Sequence, residues 1–212
     1  MELNIERIVN SPINSNCFII YKSGFSSCII LDPGSKDCSA IINFINSKNL
    51  IPEYIILTHE HFDHIWGVNE LKSIYNLKII SSKLCNEKIV NRRKNLSIYY
   101  DQVGFNSCKA DILIEDVKHK LFWNNHFFEF INTPGHSNGS ICIYTNNILF
   151  TGDTLIKNEV TVTKLPGGNR QKLSLSLNKL IERFKDINPK VFSGHGDSFS
   201  FREIIKNKLL TK

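Results

Sequence analysis

The chain has 212 residues, of which 42% are hydrophobic, and a formal net charge of +6. That length suits one domain or at most two small ones, with a core sizeable enough to need no disulfide staples. The basic residues are scattered, with Arg92-Arg93-Lys94 as the one dense cluster, which argues against a nucleic-acid-binding stripe; no apolar run reaches membrane-spanning length.

Short β-like runs at residues 4–9, 17–21 and 28–32 open the chain, bounded by Ser-Pro, Ser-Gly and Asp-Pro-Gly turns. Ala40, Ile41, Phe44 and Ile45 recur at helical spacing within 37–48. Residues 54–57 read as a buried strand that runs straight into Thr58 and a histidine-rich motif. A helix is expected over 65–75 and a strand over 77–80, a β-α-β order. Residues 91–111 are weakly patterned, as functional loops of this length often are. Asn124-Asn125 and Asn146-Asn147 each join two apolar runs, 120–123 with 127–131 and 140–144 with 148–150, and so predict hairpins. A helix beginning near Gln171 covers 178–184, a strand follows at 190–192, and a short amphipathic helix is expected over 201–210. With no linker and no low-complexity segment, residues 1–212 read as a single domain.

The six cysteines are Cys17, Cys28, Cys38, Cys85, Cys108 and Cys142, with no Cys-x-x-Cys pair among them. Several lie in apolar runs, where a free thiol behaves as a small hydrophobe. Reduced thiols and the absence of a signal-length apolar stretch after Glu2, Glu6 and Arg7 lead to the expectation of a cytoplasmic protein.

Five of the seven histidines stand in short motifs that each follow an expected strand. These motifs are His59-Glu60-His61-Phe62-Asp63-His64, Thr133-Pro134-Gly135-His136-Ser137, Thr151-Gly152-Asp153-Thr154 and Ser193-Gly194-His195-Gly196. His59 and His61, two apart after a strand, can turn both imidazoles toward one ion. Asp63 and His64 come from the next turn and face a neighbouring point. Imidazole with carboxylate suits Zn²⁺, and also Mn²⁺ or Fe. His119 and His126 lack such context and are expected to be ordinary surface residues.

These four motifs, in this order, resemble those of the metallo-β-lactamase superfamily. The resemblance implies an α/β fold, a four-layer αββα sandwich. It also implies two divalent metal ions, zinc first, with Fe or Mn as alternatives. By motif, His59, His61 and His136 would bind one ion, Asp63, His64 and His195 the other, and Asp153 would bridge them. Two such ions can share a water and lower its pKa toward neutrality; Asp63 would orient that water and serve as the catalytic base.

The stretches Gly139-Ser140, Phe150-Thr151-Gly152-Asp153-Thr154-Leu155 and Leu165-Pro166-Gly167-Gly168 resemble the short, single-domain hydroxyacylglutathione hydrolase (glyoxalase II)-like group. That group implies thioester hydrolysis of a small-molecule substrate, with neither nucleic acid nor membrane as partner. The alternatives are a persulfide dioxygenase with mononuclear iron, or a lactonase or phosphodiesterase of the same fold. Lys164, Arg170 and Lys172 are the residues expected to meet an anionic substrate.

Overall fold

The computed structural model describes residues 2–115 and 119–206. The chain forms two compact units, residues 1–114 and 115–212, each carrying one six-stranded sheet.

In the first unit the sheet order is β1 (Leu3–Val9), β2 (Asn16–Lys22), β3 (Ser27–Leu31), β4 (Ile51–Ile56), β5 (Lys78–Ser82) and β6 (Ile112–Ile114). β1, β2 and β3 pair antiparallel, while β3 to β6 pair parallel. Every residue of β3 is buried, the pattern of a strand covered on both faces. Helix α1 (Ser39–Ser47) is amphipathic and buries Ile41 and Ile45. They join Ile19, Ile30, Ile55 and Ile79 in a core drawn from helix and strands.

The helix expected over 65–75 is two helices, α2 (Phe62–Ile65) and α3 (Val68–Ile74). Gly67 marks the break. Its N–H donates to Pro33 O at 2.8 Å. A Cβ there would sit 2.4 Å from Cys38 Sγ, so only glycine lets the Asp-Pro-Gly turn approach so closely. Two helices were not anticipated, α4 (Lys83–Ile89) and α5 (Ser97–Asp101). Ser82 caps α4 by accepting from Cys85 N, a cap that its neighbours' weak periodicity concealed.

The second unit orders its sheet β12-β11-β10-β9-β8-β7. The strands are β7 (Lys120–Trp123), β8 (His126–Asn132), β9 (Ile141–Thr145), β10 (Ile148–Gly152), β11 (Lys190–Ser193) and β12 (Phe199–Ser200). Both expected hairpins are present. Asn124 and Asn125 have φ of 46° and 64°, and Asn146 and Asn147 have 43° and 63°. Two successive residues of positive φ make the type I′ turn that matches strand twist. Helix α6 (Arg170–Phe184) buries Leu173, Leu180 and Phe184. Helix α7 (Phe201–Lys206) ends the described chain, so residues 207–210 of the expected tail helix lie outside the described residues.

Phe184 is wholly buried, with its ring centroid 4.9 Å from Tyr144 and 5.8 Å from Phe201. Phe184→Ala is expected to cost about 3–5 kcal/mol of stability through lost transfer energy and a residual cavity. Urea unfolding checks this: the midpoint should fall with little change in slope.

None of the six cysteines forms a disulfide, and all but Cys108 are buried. Burial pushes the Cys28 thiol up to about 12 and that of Cys142 to about 11, so both stay protonated and unreactive near neutrality. No helix among the described residues is long and apolar enough to cross a membrane.

Candidate metal centre

Strand direction decides where the ligand-bearing loops gather. In the first unit β3 and β4 are parallel, so Asp32, just past β3, and the motif from Thr58 to His64, just past β4, share the carboxyl edge of the sheet. In the second unit β8 and β10 are each antiparallel to β9, and β10 is parallel to β11. The three strands therefore run the same way, and His136, Asp153 and His195 leave the same edge. Open sheets place their ligands at carboxyl edges for this reason.

In the first unit His59, His61 and His64 are buried. The ring centroid of His59 stands 4.7 Å from that of His61 and 4.2 Å from that of His64. Asp63 and His64 sit on α2, with Asp63 Oδ2 3.5 Å from His64 Nε2. Asp32, which read in the sequence as turn punctuation, is a central residue of this cluster. Its Oδ1 accepts from Thr58 N at 2.8 Å, and its Oδ2 accepts from Thr58 Oγ1 at 2.6 Å. The same Oδ2 lies 3.1 Å from His64 Nδ1. A carboxylate can only accept, so His64 carries its proton on Nδ1 and its lone pair on Nε2. The Thr58 hydroxyl hydrogen is directed at Asp32, so at 3.0 Å Oγ1 accepts from His59 Nδ1, and His59 has the same tautomer. Metal-binding histidines are held in this way, one nitrogen oriented by an acceptor and the other presented to the ion.

Two further contacts steady the motif. Glu60, between His59 and His61 and fully buried, is ion-paired with Lys88 of α4. Phe62 N donates to Asn95 O at 2.9 Å. The 91–111 segment is thus docked on the ligand helix. Its Tyr100 and Phe105 rings lie 5.1 Å and 5.5 Å from Phe62 and Trp66 respectively. The buried Asn95 Nδ2 donates to the carbonyls of Ile89 and Phe105 and so ties the segment together.

In the second unit the carboxylate of Asp153 stands between two imidazoles. Its Oδ2 is 3.5 Å from Nε2 of His136 and 3.5 Å from Nε2 of His195. His136 Nδ1 donates to the carbonyl of Val162 at 2.9 Å, so Nε2 again carries the lone pair. The three loops are tied to one another. Gly194 N donates to Gly152 O at 2.8 Å, and Thr133 Oγ1 meets Thr154 Oγ1 at 3.0 Å. Gly135 has φ 153°, and a Cβ there would lie 2.3 Å from Leu173 Cα. Helix α6 therefore presses directly on the loop that carries His136.

The donors fit a metal. Ligand atoms about 2.0–2.2 Å from a tetrahedral ion stand roughly 3.3–3.6 Å apart. The His64–Asp63, His136–Asp153 and His195–Asp153 separations of 3.5 Å fall in that range. Each is long for a charge-assisted hydrogen bond. Buried imidazole with carboxylate is a donor set for divalent first-row metals.

Of the three cations expected at a substrate, Lys164 and Arg170 line a common cavity in the second unit. Lys172 instead stands on the exposed face of α6, with Nζ 3.5 Å from Asn138 Oδ1. His119 is exposed beside Phe130, and His126 is half-buried in β8.

Comparison with known proteins bears on the family and the fold. The pattern of the metallo-β-lactamase superfamily matches residues 10–195. A Bacillus subtilis protein described as a probable metallo-hydrolase, YqgX, is 30% identical over 90% of this chain and 89% of its own length. A hydroxyacylglutathione hydrolase of Pectobacterium atrosepticum is 31% identical over 68% of this chain but only 48% of its own. Among solved structures, the BLEG-1 B3 metallo-β-lactamase superposes with a TM-score of 0.91 at 28% identity, covering 99% of this chain and 100% of that one. The protein TTHA1623, solved in a di-iron-bound form, gives a TM-score of 0.81 at 23% identity, covering 95% and 97%. By sequence pattern and by fold, the chain belongs to the metallo-β-lactamase superfamily.

Proposed function

We propose that the protein is a dinuclear metal-dependent hydrolase of thioesters, of the kind represented by hydroxyacylglutathione. His59, His61 and His136 would hold one ion, Asp63, His64 and His195 the other, and Asp153 would be shared. The observation that carries this reading is the single Asp153 oxygen at 3.5 Å from Nε2 of both His136 and His195, the disposition a bridging carboxylate needs. Relatives described as a probable metallo-hydrolase and a hydroxyacylglutathione hydrolase support it, as does the di-iron form of TTHA1623. Zinc is the first expectation for the metal, with iron and manganese next.

Two divalent ions in such a site would supply Lewis acidity and lower the pKa of a water toward neutrality. The protein's own part is orientation and proton handling. Asp63 presents Oδ2 to His64, and its Oδ1 would take the proton of the attacking water. Asp32 and Thr58 fix the tautomers of His64 and His59, so neither ring competes for that proton. A thiol with a pKa of about 8.5 leaves as thiolate with little protonation. Thioesters therefore suit a site whose acids and imidazoles are committed to metal.

The test combines elemental analysis with turnover of glutathione thioesters, other thioesters, lactones, phosphodiesters and a glutathione persulfide. Two ions per chain with thioesters turned over fastest is the expected result. One iron per chain with oxygen uptake on the persulfide would replace the hydrolase with a dioxygenase. A lactone or phosphodiester turned over fastest would keep the metals and change the substrate.

A further inference from the structure

The second unit contains a cavity of about 360 Å³ between the segment 154–164, helix α6 and Ile204 of α7. That volume lies within the usual range for small-molecule sites, about 300–1,000 Å³. Its apolar wall includes Leu155, Ile156, Val160, Leu173, Leu177 and Ile204. His136, Asp153 and His195 are not among the lining residues, but Val162, whose carbonyl accepts from His136 Nδ1, is, so the cavity lies behind the ligand cluster of this unit and shares a wall with it. Val160 and Val162, both on its wall, are 66% and 52% exposed, and nearby Leu165 is 40% exposed. Exposed apolar side chains on the wall of a cavity are the display expected where a ligand covers them.

The charge at the cavity has one sign in excess. Lys164 and Arg170 line it against the single acid Glu159. Arg170 also opens α6, a 15-residue helix with no acid in its first turn. The positive end of a helix dipole disfavours cations. Arg170 and Lys172 are placed there nonetheless. An anion at this end would turn that unfavourable potential into attraction.

We propose that this cavity binds a medium-chain carboxylate, its alkyl chain against the wall of Leu155, Leu173, Leu177 and Ile204 and its head at Lys164 and Arg170. This does not rest on the hydrolase reading.

The test is calorimetric titration of the full chain with decanoate. Saturable binding of one decanoate per chain is expected, with butyrate and decyltrimethylammonium each at least about tenfold weaker because they lack the chain or the charge. Ser174, an exposed cavity residue on α6, can be enlarged without disturbing the core. Ser174→Trp should abolish binding. The double variant Lys164→Gln/Arg170→Gln should weaken it at least about tenfold and decides the matter if the Trp variant fails to fold. His61→Ala should leave it unchanged. No saturation, equal binding of butyrate or of the cation, undiminished binding in either cavity variant, or loss of binding in His61→Ala would each overturn the proposal. The last would assign the carboxylate to the metal ligands instead.

Discussion

Replacing Asp153 with alanine is expected to reduce hydrolysis about a thousandfold or more, a loss of about 4 kcal/mol of transition-state stabilisation. Bound metal should fall in parallel. Asp153 follows the last residue of β10 and sends one oxygen toward both His136 and His195. Removing it would take away a proposed ligand and leave two imidazoles without the negative charge between them. Elemental analysis and steady-state kinetics on the same preparation check this, with circular dichroism to confirm folding. Asp153→Asn keeps the volume but not the charge, so it should also lose most activity. A folded Asp153→Ala protein with full activity would sink the metal-dependent reading.

Asp32→Asn should weaken metal binding by about 10–100-fold, the usual cost of losing a group that orients a ligand. The substitution is mild in shape. Asp32 has φ 51°, a backbone conformation that asparagine tolerates. Its chemistry is not mild. Oδ2 of Asp32 faces two donors, Thr58 Oγ1 and His64 Nδ1, whereas an amide offers one acceptor oxygen where the carboxylate has two. With the amide nitrogen facing His64, the ring must move its proton to Nε2, the atom presented to the metal. Chelator-competition titration reads the affinity directly, and an unchanged value would show that Asp32 does not set the tautomer. Asp32→Ala should do worse. It leaves Thr58 N–H and its hydroxyl without their buried acceptor, at about 1–3 kcal/mol each, so its unfolding midpoint should drop as well.

Much of this protein was legible before any coordinates. The two Asn-Asn turns, the short β-like run at 28–32 and the spacing of Ile41 and Ile45 are local signals, because turn type and helix face depend on residues a few positions apart. The seven proposed metal ligands were legible for a related reason: each is chemically distinctive and stands just past a strand. The break at Gly67 was not legible, since it is imposed by Pro33 and Cys38, remote in sequence.

Nor could the sequence distinguish Asp32 from any Asp-Pro-Gly turn residue. Its role depends on β3 and β4 being parallel neighbours, which brings its carboxylate to Thr58 and His64 from 26 and 32 residues away. Val162 had no signal at all, because its contribution to His136 is a backbone carbonyl. The run from His59 to His64 by itself pointed only to a metal site; His136, Asp153 and His195 were needed to point to two ions and to hydrolysis. Which nitrogen His59 and His64 offer was decided only by tertiary structure, because Asp32, which accepts from His64 directly and from the Thr58 hydroxyl beside His59, reaches both through the pairing of β3 with β4.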